Sequence, residues 1–119
     1  MSHFTESQHS TLMHECMEWE MELSGHKEKI NMMKEELNSA IASGKRHEDQ
    51  IKVEHFHNQF HIQLINIHDM EHAIKKHMEE ADRHPEFKFK EPHQQLKSEF
   101  ESLVKQLNDL EKEFKLYLS

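Results

Sequence analysis

The second predicted helix carries histidines whose spacing suits transition-metal binding. The chain has 13 histidines among 119 residues, and four of them fall on one side of this helix because they are separated by four, seven and four positions. This histidine stripe consists of His57, His61, His68 and His72. Each i,i+4 pair in it can chelate one metal ion through two imidazole nitrogens. The spacing therefore indicates a site for zinc or another divalent transition metal.

Two imidazoles do not complete such a site. A structural zinc takes four ligands, and a catalytic zinc takes three and a water. The missing ligands would come from another chain or from the first helix, where the candidates are His14, Glu18, Glu22 and His26. The simpler interpretation is a solvated helix face with no cofactor, and a pH-responsive interface is a third.

Enzyme signatures are absent from the sequence. A di-iron carboxylate bundle needs two Glu-x-x-His motifs on inward faces, and the motif ending at His9 lies too close to the chain start to face an interior. Cys16 falls at a predicted core position without a recognised partner, which is typical of a buried apolar side chain. No glycine-rich phosphate loop, nucleophile elbow or zincin motif occurs. We therefore predict a protein with no catalytic residues.

The first element that positions these residues is one long helix over residues 10–43. Its apolar residues recur with alternating steps of four and three, the a and d positions of a heptad repeat. They are Leu12, Cys16, Trp19, Leu23, His26, Ile30, Met33, Leu37 and Ala40. The repeat keeps its phase through Gly25, which favours one continuous helix, although a break there would produce a four-helix protein. Gly44 suits the residue that follows the helix.

A second helix is predicted over residues 46–83. Its connection to the first is so short that the two helices must form an antiparallel hairpin. The predicted core residues are Val53, Phe56, Phe60, Leu64, Ile67, Ile74, Met78 and Ala81. Glu71 leaves a polar gap in this series. Pro85 disfavours helical geometry at His84 and ends the helix.

The third helix follows an extended linker over residues 84–92. Phe87 and Phe89 alternate with lysines, which places both rings on one face of an extended segment that we expect to cover the ends of the first two helices. Helix 3 over residues 93–118 then has a regular heptad core. This core comprises Leu96, Phe100, Leu103, Leu107, Leu110, Phe114 and Tyr117. The chain is therefore predicted to be a single all-α domain, residues 1–119, folded as an antiparallel three-helix bundle of long coiled-coil-like helices.

A second apolar surface lies away from the predicted core. It combines methionines of helix 1 with isoleucines of helix 2, and a three-helix monomer would leave it in water. Its members are Met13, Met17, Met21, Ile51, Ile62 and Ile65. Because contiguous apolar patches usually mark interaction surfaces, we expect a homodimer or a protein partner here, with scattered surface methionines as the simpler reading.

Charge and hydropathy exclude several partners. A net charge of −8 disfavours nucleic acid, which needs a basic face. No apolar run is long enough for a membrane span, and the N-terminus does not resemble a secretory signal. With one cysteine we expect a cytoplasmic protein. The sequence thus predicts a non-enzymatic, self-associating structural or interaction module, with transition-metal binding through the histidine stripe as the alternative.

Overall fold

Three antiparallel helices form the protein in a computed structural model that describes residues 6–44, 49–84 and 90–119, and side chains from residue 8 onward. Helix α1 spans Glu6–Ala42, α2 spans Gln50–Arg83 and α3 spans Lys90–Leu118. The molecule is a rod with principal extents of 64 × 19 × 17 Å. The predicted all-α three-helix bundle is confirmed.

Helix α1 continues through Gly25 without a break. The four-helix alternative is therefore wrong, and the reason is packing: the heptad core residues on both sides of the glycine, Leu23 and Ile30, are fully buried in one cluster. The helix ends just before Gly44, which has a positive φ of 79°. A left-handed residue after the last turn terminates a helix, and glycine adopts that conformation without strain.

The core of the bundle is a continuous apolar cluster along the rod. The predicted residues of α1 and α3 supply most of it, and Phe56, Phe60 and Phe114 form an aromatic layer near the end of α3 with ring centroids 5.2–6.1 Å apart. Aromatic rings in these tilted and edge-on arrangements contribute more than the area they bury. Burial of the heptad stripes is thus the main stabilisation of the fold.

Two polar residues of α2 occupy core places that were predicted for apolar neighbours. Gln63 and His77 are buried, whereas Leu64 and Met78 are only partly buried at the edge of the core. The alternating four-three spacing of α2 runs through positions 63 and 77, so helical geometry turns these side chains inward whatever their polarity. The choice of the nearest apolar residue was therefore wrong at both places.

The same spacing removes the predicted gap at Glu71. Position 70 continues the repeat, and Met70 packs against the core. A flexible thioether fills irregular space well, so the α2 stripe is closed between Ile67 and Ile74.

The boundaries differ from the prediction at three places. Helix α1 begins earlier, at Glu6, and residues 45–48, with the predicted start of helix 2, lie outside the described residues. The predicted extended linker is shorter at its C-terminal end, because residues 90–92 form the first turn of α3. Pro92 is tolerated there since amides of a first turn have no acceptor within the helix. Phe87 and Phe89, with their predicted burial, lie outside the described residues.

None of the described helices has an apolar stretch long enough to cross a membrane.

Gly25→Ala should stabilise the protein. Gly25 is exposed inside a helix, and an added Cβ meets no atom within 4 Å. Since glycine in a helix costs roughly 0.5–1 kcal/mol relative to alanine, the free energy of unfolding should rise by about that amount in urea titrations followed by circular dichroism.

Gly44→Ala is the matched control. Its added Cβ also meets no atom, but the positive φ strains any L side chain, so this variant should be less stable than wild type. A destabilised Gly25→Ala would mean that the helix needs flexibility at this position.

Candidate metal site in the bundle core

One residue from each helix meets at the end of the bundle where α1 begins, α2 ends and α3 begins. Cys16, His77 and His93 bring one sulfur and two ring nitrogens within 4.8 Å of one another. We call these residues the Cys–His–His cluster. Their relative exposures are 0%, 7% and 7%, so the donor atoms lie inside the core. Each residue occupies a heptad core position of its helix, which is why the three side chains converge.

A chain of hydrogen bonds links the cluster to a carboxylate. Glu15 Oε1 lies 3.0 Å from His93 Nε2, and His93 Nδ1 lies 3.0 Å from His77 Nε2. An ionised carboxylate can only accept, so His93 Nε2 donates to Glu15. In its neutral form, His93 then has a lone pair on Nδ1, and this nitrogen accepts a hydrogen bond from the N–H of His77 Nε2. Glu15 thereby determines which nitrogen of His93 faces the cluster.

The ring of His93 is also held by its neighbours. Trp19 stacks against it with a centroid distance of 5.0 Å and an interplanar angle of 18°. Trp19 in turn stacks on Phe100 at 5.3 Å. Lys97 Nζ lies 3.9 Å from the other oxygen of Glu15 and balances its charge. The imidazole is therefore fixed in orientation before any ligand arrives.

Burial disfavours the charged forms of Cys16 and His77. It raises the pKa of the Cys16 thiol to about 12, with added repulsion from Glu15 and Glu20. Burial also lowers the pKa of His77, and the neighbouring His93 lowers it further against an opposing effect of Glu80. At neutral pH the cluster thus holds a Cys16 thiol and a neutral His77 imidazole. A thiol of this kind is a poor nucleophile, because the reactive species is the thiolate.

The donor set is that of a transition-metal site. Thiolate sulfur and neutral imidazole nitrogen are ligands of zinc and copper. A carboxylate that accepts from the outer N–H of a ligating histidine orients that ring in many metal sites. Glu15 has this relation to His93, because the nitrogen that it binds is not the one that faces His77. Among the residues described, no other group of three such side chains brings its donor atoms together.

The predicted histidine stripe lies on the surface. His61, His68 and His72 are exposed and His57 is half-buried. His68 and His72 contact each other with ring centroids 4.9 Å apart, and together with Glu20, Glu71 and Lys75 they line a shallow cavity of about 280 Å³. Within the described part of the chain, no third donor atom joins this pair.

The other predicted ligands of helix 1 are also separate from the stripe. His14 and Glu18 pair with each other at 3.1 Å on the surface. His26 Nε2 lies 3.9 Å from Glu22 Oε1, with its ring largely buried. Metal binding by the stripe therefore stays a prediction, and the α1 carboxylate that shares its cavity is Glu20.

The sequence contained a signal for the cluster that apolar pattern matching missed. Extending the heptad of α3 by three residues before Leu96 leads to His93, and extending that of α2 by three residues after Ile74 leads to His77. His77 and His93 were not predicted as core residues because polar residues were treated as breaks in the repeat. A heptad that is followed by position alone would have placed them inside with Cys16.

The predicted interface residues are mostly exposed. Met17 and Met21 are 55% and 76% exposed, and the isoleucines of the set are exposed on α2. Met13 differs, because it packs partly buried against the core. The exposed residues are Met17, Met21, Ile51, Ile62 and Ile65.

Comparison of the chain with protein-family models, with curated proteins and with solved structures finds no significant match. Its function has to be inferred from the chemistry of its own residues.

Stability should fall as the pH drops from about 7.5 to 5, because unfolded histidine takes up a proton near pH 6.5. Burial lowers the pKa of His77 and of His26, where Lys29 adds to the effect and Glu22 and Glu111 oppose it. Below about pH 6.5 these two histidines therefore bind more protons in the unfolded chain than in the folded one, which favours unfolding. Urea titrations with a chelator present would measure this slope.

His26→Leu should make the free energy of unfolding depend less steeply on pH, since it removes one of the two histidines with a lowered pKa. His14→Gln, at an exposed position of the same helix, should leave it unchanged. An unaltered slope in His26→Leu would show that this buried histidine does not contribute to the acid sensitivity.

Proposed function

We propose that the protein binds one transition-metal ion through Cys16, His77 and His93, and that it is not an enzyme. The observation that carries this proposal is the convergence of three buried donor atoms from three helices within 4.8 Å. A metal at this place would link all three helices and couple binding to folding.

The spacing of the nitrogens supports the proposal. Two nitrogens on one tetrahedral zinc, each at 2.0–2.1 Å from the metal, are about 3.3 Å apart. His77 Nε2 and His93 Nδ1 are already 3.0 Å apart. For both lone pairs to point at one ion, the proton between the rings must move to the other nitrogen of His77, and both rings must turn from their direct hydrogen bond. The distance between the two nitrogens, in contrast, needs little change.

The protonation states define a proton balance. The metal replaces the proton of the Cys16 thiol, while neutral His77 only has to move its proton to the other ring nitrogen. Metal binding at pH 7.5 should therefore release about one proton per ion. This number distinguishes the core site from the histidine stripe, which has no thiol proton to release.

Added zinc should bind with a stoichiometry of one per chain and raise the melting temperature at pH 7.5. Titration calorimetry in buffers of different ionisation enthalpy measures the proton release, and differential scanning calorimetry the stabilisation. Cys16→Ala and His93→Gln should each lose high-affinity binding. Glu15→Gln should weaken it by about 10- to 100-fold, as is typical for a residue that orients a ligand.

Two control variants separate this site from the surface. Glu18→Gln changes an exposed carboxylate of the same helix and should bind zinc like wild type. A variant with all four stripe histidines replaced by Gln should also retain the high-affinity site. Should Cys16→Ala bind zinc as tightly as wild type while the stripe variant does not, the histidine stripe is the metal site and the core cluster is not.

We also propose that the chain self-associates through its second apolar surface. The exposure of Met17 and Met21 on α1 and of Ile62 and Ile65 on α2 supports this. One chain carries both a methionine patch and an isoleucine patch, so a second copy offers an apolar surface to each. Flexible methionine side chains adapt well to such a contact.

Wild-type protein should sediment as a dimer at micromolar concentration, and Met17→Glu with Ile62→Glu should yield a helical monomer. Charged groups in the interface would lose solvation without partners. Leu116→Glu is the matched control, because Leu116 is 76% exposed outside the proposed interface and its replacement should leave the dimer intact. A wild-type monomer at high concentration would contradict self-association.

A further inference from the structure

We infer that the Cys–His–His cluster selects copper, in the Cu(I) state, over zinc. This inference rests on the proposed metal site and goes beyond it by naming the metal. Three observations carry it: the number of donor atoms, the position of Glu15 and the charge balance around the cluster.

The described part of the chain supplies three donors to the cluster. Among the described residues, the group of donor atoms within 4.8 Å comprises one sulfur and two nitrogens only. Glu15 cannot serve as the fourth ligand while its oxygen binds His93 Nε2 at 3.0 Å, because that nitrogen lies on the outer side of the ring. Structural zinc sites almost always have four protein ligands. Cu(I), in contrast, is stable with three.

A zinc ion with three protein ligands would need a water in the fourth position. Cys16 is fully buried and both histidines are 7% exposed, and Trp19 covers one face of His93. Such surroundings suit a metal that needs no water. Soft thiolate ligands suit both Cu(I) and zinc, but a trigonal set of one cysteine and two histidines is a known copper arrangement.

The charge balance points the same way. Cu(I) with one thiolate and two neutral imidazoles has no net charge, whereas zinc with the same ligands retains one positive charge. Burying an uncompensated charge is costly. Glu15 could offset part of that charge, but its carboxylate is shared with Lys97 at 3.9 Å. A neutral copper unit therefore fits the core better than a cationic zinc unit.

The test is a direct competition on the full chain. Cu(I), kept reduced by ascorbate under nitrogen and buffered by a chromogenic Cu(I) chelator, is titrated with protein, and bound copper is measured from the loss of the chelator's colour. We expect one Cu(I) per chain, which an equal free concentration of Zn²⁺ does not displace. X-ray absorption spectroscopy should then show copper with one sulfur and two nitrogen ligands.

Variants assign the copper to the cluster. Cys16→Ala and His93→Gln should lose it, with circular dichroism showing that each remains helical. The stripe variant with four Gln should retain it, as should Met17→Leu with Met21→Leu, which removes exposed thioethers that also bind Cu(I). Copper that persists in Cys16→Ala and is lost from the methionine variant would overturn the assignment.

The failures of the two proposals are distinguishable. Displacement of Cu(I) by equal free Zn²⁺, with zinc bound through Cys16, would overturn the copper preference and leave the proposed metal site intact. If neither ion binds to wild type in a manner that depends on Cys16 and His93, both proposals are wrong.

Discussion

Each helix of this protein buries one stripe of residues, and the heptad period decides which residues those are. In a rod about 64 Å long and 19 Å wide, every helix lies against the other two along its length, so each a and d position points inward. The side chain at such a position is buried or partly buried whether it is apolar or not. Most are Leu, Ile or Phe and provide the stability of the fold. A few are polar, and the distinctive chemistry of the protein comes from these exceptions.

A buried polar group is tolerated only where it finds a partner, because its loss of water must be offset. The amide of Gln63 is 3.4 Å from Gln106 Oε1 and accepts from Asn66 at 3.2 Å. At the other end of the bundle, His77 is hydrogen-bonded to His93, and His93 is hydrogen-bonded to Glu15. The second arrangement differs from the first in adding a thiol. A polar layer of amides only stabilises and specifies packing, whereas a layer with sulfur and imidazole donors can also bind a metal.

The cluster and the histidine stripe differ in how their donor atoms are held. The stripe has more imidazoles, but they lie on an exposed surface where each ring loses conformational freedom on binding. In the cluster, packing against Trp19 and the hydrogen bond to Glu15 have already oriented His93. Affinity for a metal depends on this preorganisation and on exclusion of water more than on the local abundance of ligands. For this reason we propose the three converging donors in the core, rather than the four aligned donors on the surface, as the metal site.

The heptad repeats were readable from the sequence alone, because helical periodicity is a local property of the chain. The three helices, the continuous passage of α1 through Gly25 and the place of Cys16 in the core all followed from the spacing of apolar residues. The candidate site could not be predicted in this way, although its three residues obey the same spacing. Cys16, His77 and His93 are far apart in the chain, and only the axial alignment of the helices brings them into one layer. That alignment is decided by side-chain packing along the whole bundle, and the position of Glu15 beside His93 depends on it as well.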